Sequence, residues 1–185
     1  ITVYEQTHHV WIDHCEFSNC YDGLVDITRG ADYCEVSWNI FRNHNKTCLI
    51  GASDDHDTID TGHLKTTFHH NWFDNTETRT PRVRWGYAHC YNNYYNFKTH
   101  AFRIGPEGKI YAEANYVAST SGKILKNKEN EGNLTWTTSN VWDKSAYGDI
   151  GAEKLDADQS VRKPSYSYKA DKASSSPPRA GAGKM

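Results

Sequence analysis

The sequence has few of the residues that form helix interfaces. Leucine occurs six times and methionine once among 185 residues, against 24 aromatic residues, 16 threonines and 14 asparagines. Leucine and methionine are strong helix formers, whereas aromatic residues and threonine favour strands and asparagine favours turns. The composition therefore argues against a helical bundle and favours a structure built from strands and turns.

Long apolar runs and an excess of charge of either sign are also lacking. No apolar run reaches the roughly 18 residues of a membrane span, and the formal net charge is only −2. A sequence-independent nucleic-acid binder needs a basic stripe that displaces counterions from phosphates. We therefore expect one soluble domain with no nucleic-acid and no membrane partner.

The cysteines contain no C-x-x-C pair, so their spacing does not indicate a zinc site. There are five, namely Cys15, Cys20, Cys34, Cys48 and Cys90. An odd number leaves at least one thiol unpaired, and both two disulfides plus one thiol and five thiols fit this pattern. The chain starts at an isoleucine without a charged and apolar leader, as expected of the interior of a longer domain.

An asparagine followed by two large apolar residues recurs along the chain. The asparagines are Asn39, Asn71, Asn93, Asn115 and Asn140, at steps of 32, 22, 22 and 25 residues. Cys15 lies 24 residues before the first of them, in the place of the asparagine. A period in the low twenties is typical of a solenoid.

Alternating strand-like stretches precede copies of this repeat, without intervening amphipathic helices. They are Val10–His14, Cys34–Trp38, Leu64–Phe68 and Lys109–Ala112. The pattern predicts a parallel β-helix, in which each asparagine adopts the left-handed conformation of a sharp corner and bonds the asparagine stacked above it. The alternative is an all-β sandwich whose asparagines merely occupy turns.

Two segments depart from the repeat. The acidic loop, Gly51–Asp60, accounts for the long step of 32 residues. From about Asp149 the chain turns polar and ends in a Ser-, Pro- and Gly-rich stretch without a strand pattern. We expect β-helix coils over residues 1–148 and, over 149–185, a polar C-terminal tail that is a strap over the solenoid flank or disordered.

Three arginines lie within the six residues Arg79-Thr80-Pro81-Arg82-Val83-Arg84. On an extended strand, Arg82 and Arg84 share a face and Val83 points the other way. Planar guanidinium groups suit two-point recognition of carboxylates or sulfates. A solvated edge strand is the alternative.

The stretch Asp22-Gly23-Leu24-Val25-Asp26 places two carboxylates four residues apart. They converge on a hard cation such as calcium if the chain turns after the glycine, although a simple Asp-Gly turn fits equally well.

Asp13 and His14 are adjacent in the sequence and therefore point to opposite faces of a regular strand, which favours a structural role over a catalytic dyad. For the same reason no transition-metal site is expected at the His8-His9 and His69-His70 doublets.

Several motifs, in order, resemble polysaccharide lyase family 1, the calcium-dependent pectate lyases. They are Val10–His14, Asp22–Ile27, Ser37–Asn39, Lys46–Gly51, His69–Asn71, Arg79–Arg84, and His89 with Tyr91–Asn93. They cover residues 3 to about 97, and a weaker likeness extends through Pro164–Tyr168. The resemblance implies a right-handed parallel β-helix, and it places Asp13 in the structural core.

The resemblance also implies cleavage of α-1,4-linked polygalacturonate by β-elimination, giving unsaturated oligogalacturonides. It assigns Arg79 as the base, Lys46 and Arg84 to the substrate carboxylate, and Asp22 and Asp26 to Ca²⁺. A secreted monomer is expected. The unperturbed pKa of arginine is about 12.5 to 13.8, so a basic Arg79 requires crowding by other cations, and an alkaline optimum follows.

Two departures from the family pattern bear on the site. Family members carry a further calcium-binding aspartate just upstream of the strand that begins here at Ile1, where this chain has no residue. Many relatives also carry lysine in place of Thr28. The resemblance implies that the chain lacks the family's first coils and capping helix. A pectin lyase, which needs no cation bridge, and a non-catalytic pectin-binding solenoid are the alternative functions. A glycoside hydrolase would need a flanking carboxylate pair, for which Asp54, Asp55 and Asp57 match no known motif.

Overall fold

Short strands alternate among three sheets and wind the chain into six coils. The computed structural model describes residues 1–119, 122–127, 131–143 and 158–181. Sheet 1 contains β1 (Thr2–Val3), β4 (Val25–Ile27), β7 (Cys48–Ile50), β10 (Arg82–Val83), β13 (His100–Ile104) and β16 (Lys123–Asn127). Sheet 2 contains β2 (Trp11–Asp13), β5 (Cys34–Ser37), β8 (Lys65–His69), β11 (Tyr87–Tyr91), β14 (Lys109–Glu113) and β17 (Asn133–Trp136). Sheet 3 contains β3 (Glu16–Ser18), β6 (Ile40–Arg42), β9 (Trp72–Thr76), β12 (Tyr94–Phe97), β15 (Tyr116–Val117) and β18 (Val141–Trp142).

Every strand pairs in parallel with the equivalent strand of the next coil, as a parallel β-helix requires. Ile12 lies beside Val36, for example, and Val36 lies beside Phe68. Four strands of sheet 2, namely β2, β5, β8 and β14, fall within or next to the alternating stretches of the sequence. The predicted solenoid is confirmed. The β-sandwich alternative is excluded because strands that are hydrogen-bonded in a sheet belong to successive coils and lie three strands apart in chain order.

The interior of the coils is a continuous apolar column. Aromatic rings of sheet 3 stack along it, with Phe17 over Phe41 at 5.2 Å, Phe41 over Phe73 at 5.0 Å and Phe73 over Tyr95 at 4.9 Å between centroids. These spacings match the separation of adjacent strands. The repeat therefore places like side chains on like side chains, and each coil needs its neighbour to bury them.

The recurring asparagines form a hydrogen-bonded ladder inside the turn between sheets 2 and 3. The backbone N–H of Asn39 donates to Asn71 Oδ1 at 3.0 Å, and that of Asn71 donates to Asn93 Oδ1 at 3.0 Å. The series continues through Asn115 to Asn140. Cys15 starts it by donating its N–H to Asn39 Oδ1 at 2.9 Å. The predicted stacking of side-chain amides is confirmed.

The expectation that these asparagines adopt the left-handed conformation is wrong by one position. The residue before the asparagine carries the positive φ: it is 53° at Trp38, His70 and Asn92, and 49° at Ala114. This residue makes the corner, and the asparagine then points inward to satisfy the backbone groups that the corner leaves unpaired. The asparagine is required for its amide and not for its backbone.

The acidic loop is an insertion between β7 and β8, as its length predicted. It contains α1 (Asp57–Asp60), a single turn of helix. Asp60 is fully buried and accepts the Gly30 N–H at 2.9 Å, which ties the loop to the preceding coil. The insertion therefore lengthens one coil without disturbing the register of the sheets.

Residues 158–181 cross the outer face of sheet 2 without forming a strand. The hydroxyl of Tyr166 lies 2.8 Å from Thr67 Oγ1, Tyr168 donates to Glu113, and the Asp171 N–H donates to Asn92 Oδ1 at 2.8 Å. The expected boundary at 148/149 and the tail residues 149–157 and 182–185 lie outside the described residues. Over its described length the segment covers histidine and tyrosine side chains of three successive coils.

The central contact of this segment is His89, whose side chain has no exposed area. Its Nδ1 accepts the Tyr166 hydroxyl at 2.5 Å, and its Nε2 donates to Glu113 Oε1 at 3.1 Å. Burial lowers the pKa of His89 to about 4, against the opposing effect of Glu113. Between about pH 4 and pH 6.5, the His89 imidazole is therefore neutral in the folded protein and protonated in the unfolded chain.

We predict that this histidine makes the free energy of unfolding depend on pH. The folded pKa lies below the ordinary value of about 6.5, so stabilisation is complete above pH 6.5 and is lost as the pH falls towards 4. Between pH 7 and pH 5 the loss is about 2 kcal/mol. Urea unfolding at both pH values should show at least this loss in the parent, because burial also lowers the pKa of His100 to about 4 and adds to it. The loss should be about 2 kcal/mol smaller in His89→Gln. Equal losses in both proteins would show that His89 is not the responsible group.

All five cysteines are free thiols, which resolves the open question of their pairing. Cys34, Cys48 and Cys90 are buried among the core residues, and burial raises the pKa of Cys34 to about 11. These three side chains act as small apolar residues. In the described part of the chain, no helix has the length and apolar character needed to span a bilayer.

Candidate functional site

The site residues predicted from the sequence meet outside sheet 1. Asp22, Lys46 and Arg79 each lie two or three residues before a strand of three successive coils, β4, β7 and β10. Lys46 is bridged to Thr78, and the Cys48 N–H donates to the Arg79 carbonyl at 2.7 Å. Stacking of the coils therefore brings together residues that are 57 positions apart in the sequence.

Asp22 and Lys46 form an ion pair at the solvent side of this cluster. Lys46 Nζ donates to Asp22 Oδ1 at 3.1 Å, and His44 Nε2 donates to the Asp22 carbonyl at 2.5 Å. The two charged side chains are 48% and 64% exposed, so the pair adds little to stability. Both groups are accessible to an incoming ion or carboxylate.

Asp26 presents the opposite situation, a carboxylate with a buried oxygen and no donor. Its Oδ1 is buried and lacks a hydrogen-bond partner among the described residues. Burial, and then the neighbouring Asp22, raise its pKa. A Cβ atom at Gly23 would overlap the Asp26 carboxylate, so the glycine allows this close approach.

These features are compatible with a hard cation. Two carboxylates, one of them with an unsatisfied buried oxygen, are the oxygen donors that Ca²⁺ prefers. Among the described residues, no group of three His, Cys, Asp or Glu side chains is arranged to hold a metal. Asp22 and Asp26 would therefore have to share the ion with other oxygen ligands.

Arg79 lies between this carboxylate pair and a group of other arginines. Burial, then Arg103 and Arg84, lower its pKa, whereas Asp22 and Asp26 act in the opposite direction. Its backbone φ of 61° is left-handed and places it at the corner before β10. The lowered pKa that a general base at Arg79 requires is thus present. Burial is its largest cause, and the neighbouring arginines add to it.

Arg82, a member of the predicted arginine motif, and Arg103, which no sequence motif indicated, also belong to the cluster. They are paired across β10 and β13, and Arg82 is also paired with Leu49, which lies next to Asp26. Burial, then Arg84, Arg103 and Arg79, lower the pKa of Arg82 to about 10. Only the register of the coils could have identified Arg103, because no local motif surrounds it.

Arg84 is bound by the acidic loop. Its Nε donates to Asp54, and its Nη1 donates to the carbonyls of Gly51 at 2.8 Å and Ala52 at 3.2 Å. The residue is 7% exposed. Val83 is fully buried in the core, so the predicted division of the arginines and the valine between two faces is confirmed. Part of the Arg84 guanidinium is therefore already occupied within the protein.

Asp13 and His14 lie on sheet 2, apart from this cluster. Asp13 accepts hydrogen bonds from the Ser37 hydroxyl at 2.5 Å and from His14. The expectation that adjacent side chains diverge is wrong here, because His14 has a left-handed φ of 50° and turns back towards Asp13. The same conformation brings His70 against His69, with 2.9 Å between their Nδ1 atoms. The Asp13–Ser37 bond joins successive coils, which is a structural function.

Together the fold and this cluster define a right-handed parallel β-helix protein with a charged site of arginines, a lysine and two aspartates on one sheet. A family model described as "Pectate lyase" matches residues 1–185. The chain belongs to the pectate lyase family.

Curated relatives are similar over part of their length. The chain is 44% identical over 108 residues to a pectate trisaccharide-lyase of Thermotoga maritima, covering 58% of this chain and 29% of that protein. It is 38% identical over 154 residues to pectate lyase E of Dickeya chrysanthemi, covering 70% of this chain and 38% of the relative. This chain therefore spans about a third of the length of these relatives.

Solved structures show the same fold. A pectate lyase from Bacillus sp. N165 in complex with trigalacturonate superimposes with a TM-score of 0.76 at 29% identity, covering 93% of this chain and 57% of that one. A pectate lyase bound to a hexasaccharide gives a TM-score of 0.75 at 27% identity, covering 93% and 49%. The six coils described above correspond to about half of each of these chains.

Proposed function

We propose that this chain carries the active site of a calcium-dependent pectate lyase that cleaves α-1,4-linked polygalacturonate into unsaturated oligogalacturonides. The observation that carries the proposal is the position of Arg79. A guanidinium with a lowered pKa lies between a carboxylate pair and three further arginines, on a chain of the pectate lyase family. A base and a cationic surrounding for a carboxylate are the two requirements of this elimination.

The reaction is a β-elimination with no covalent enzyme intermediate. Neutral Arg79 takes the proton from C5 of a galacturonate unit and becomes guanidinium. The electron pair of the C5–H bond forms the C4=C5 double bond, and the C4–O bond breaks with its electrons on the oxygen. Water protonates this oxygen, which becomes the hydroxyl of the other fragment.

The carboxylate next to C5 makes the reaction possible because it spreads the developing negative charge. Lys46 and Arg84 are proposed to bind it, and Arg82 and Arg103 add positive charge along the same sheet. Preorganised cations that face developing charge lower the barrier without a cost of reorganisation. Asp22 and Asp26 would hold Ca²⁺, which supplies further charge stabilisation at the carboxylate when it is bound.

Polygalacturonate is the proposed partner because one solved pectate lyase is described as a complex with trigalacturonate and another as bound to a hexasaccharide. A polymeric extracellular substrate implies secretion of the intact protein, and we propose that it acts as a monomer. The carboxylate pair argues against a pectin lyase, since a neutral methyl ester needs no cation bridge.

One assay tests the function directly. Polygalacturonate is mixed with the protein in the presence of Ca²⁺ or of a chelator, and the ultraviolet absorbance of the unsaturated product is followed. We expect absorbance that depends on Ca²⁺ and rises towards alkaline pH, because Arg79 must lose its proton. New reducing ends without absorbance would indicate a hydrolase, and binding without either would indicate a non-catalytic solenoid.

A further inference from the structure

Asp54 in the acidic loop makes contacts that the proposed reaction does not require. Its Oδ1 accepts the Nε–H of Arg84 and lies 3.6 Å from Nη2 of Arg82. The rest of the loop supports the same contact. The Trp85 indole N–H donates to the Ser53 carbonyl at 3.2 Å, next to the two carbonyls that bind Arg84 Nη1.

The contact with Asp54 compensates part of the repulsion among the arginines of the site. Arg79, Arg82, Arg84 and Arg103 repel one another. Burial, and then other arginines of the group, lower the pKa of each of the first three. Asp22 and Asp26 oppose this effect at Arg79. Asp54 opposes it at both Arg82 and Arg84, and Glu131 adds a smaller opposing effect at Arg84. Without Asp54, less of the repulsion between these two guanidinium groups would be compensated, and their side chains would be expected to separate.

We propose that Asp54 is a positioning residue, which holds Arg84 and Arg82 side by side so that their charges face a bound galacturonate carboxylate. The inference rests on the proposed function. Asp54 reaches the reaction only through the arginines. A charge-assisted bond to Nε fixes the plane of the Arg84 guanidinium, and the loop carbonyls fix its Nη1 edge. The remaining Nη2 group is the part of Arg84 left for a ligand.

The acidic loop provides a matched control. Asp55 is the next residue and is exposed, and its backbone N–H donates to Ser53 Oγ at 3.2 Å. Asp54→Asn and Asp55→Asn therefore remove the same charge from the same loop. Asp54→Glu keeps the charge on a longer side chain and serves as the conservative variant.

The first measurement is independent of catalysis. In protein labelled with ¹⁵N, solvent exchange of the Arg84 Nε proton should be about 10-fold faster in Asp54→Asn than in the parent, and unchanged in Asp55→Asn. Equal exchange in Asp54→Asn and the parent would refute the inference, whatever the activity of the chain.

The second measurement concerns the substrate. We expect kcat/KM on polygalacturonate, and the affinity for trigalacturonate, to fall about 10- to 100-fold in Asp54→Asn, to recover in part in Asp54→Glu and to stay within about twofold in Asp55→Asn. The same loss in Asp55→Asn, or none in Asp54→Asn, would refute the inference. A parent chain without lyase activity whose Arg84 exchange still depends on Asp54 would instead refute the proposed function.

Discussion

Replacing Arg79 by alanine is expected to lower kcat on polygalacturonate by about 10²- to 10⁴-fold, the usual contribution of a general base. Binding should survive, since the carboxylate of the substrate is proposed to contact Lys46 and Arg84. The affinity for trigalacturonate, measured by calorimetry, should therefore change by less than about 10-fold. Because Arg79 has a left-handed backbone, Arg79→Asn is the second variant of choice, as asparagine tolerates this conformation.

The matched control is Arg162→Ala, which removes one exposed arginine from the segment that covers sheet 2. It should leave both kcat and the affinity unchanged. If Arg79→Ala retains turnover, or if the parent rate peaks near pH 5 and falls towards alkaline pH, Arg79 has no part in proton abstraction. A parallel loss of turnover and binding would instead assign Arg79 to substrate binding alone.

The largest effect on stability is expected from the ladder of asparagines. Asn71 accepts the N–H of Asn39 at 3.0 Å and its amide at 3.1 Å, and donates to Val36 O at 2.8 Å and to Asn93 Oδ1 at 3.0 Å. Asn71→Ala leaves these buried groups without partners. The free energy of unfolding should fall by about 3–5 kcal/mol, since each unsatisfied buried group costs about 1–3 kcal/mol.

Urea unfolding of Asn71→Ala and of Asn96→Ala compares the loss of an asparagine of the ladder with the loss of an asparagine outside it. Asn96 lies at a half-buried outward position of β12, and its replacement should change the free energy of unfolding by less than about 0.5 kcal/mol. Equal effects of the two replacements would mean that the ladder adds nothing beyond ordinary asparagine contacts.

The fold could be predicted because the same residue types recur at equivalent positions of successive coils. Stacked coils place equivalent residues on one another, so each coil imposes the same requirement for an inward amide or aromatic ring. The steps of 22 and 25 residues and the acidic loop in the step of 32 are therefore evident from the sequence. The left-handed corner residues were not, because they are as different as Trp38, His70 and Ala114. The coil geometry, and not their side chains, imposes that conformation.

Some residues of the site could likewise be predicted from the sequence, and others could not. The motifs around Asp22, Lys46 and Arg79 identified residues that the structure brings onto three successive coils. Arg103 remained hidden, since its place beside Arg82 depends on the pairing of β10 with β13. The sequence around Asp54 indicates no role for it, because it matches no hydrolase motif. Its contact with Arg84 appears once the acidic loop folds back over sheet 1.

By itself, the sequence determined that this protein is a β-solenoid with a cationic motif, a carboxylate pair and one acidic insertion, because composition, period and local spacing are properties of the chain alone. Only the tertiary structure decided which charges meet, which carboxylate oxygen is left without a donor, and which carboxylate holds the arginines. The reason is that Coulomb energies and burial depend on distances across coils, and residues more than 20 positions apart become neighbours only when the coils stack.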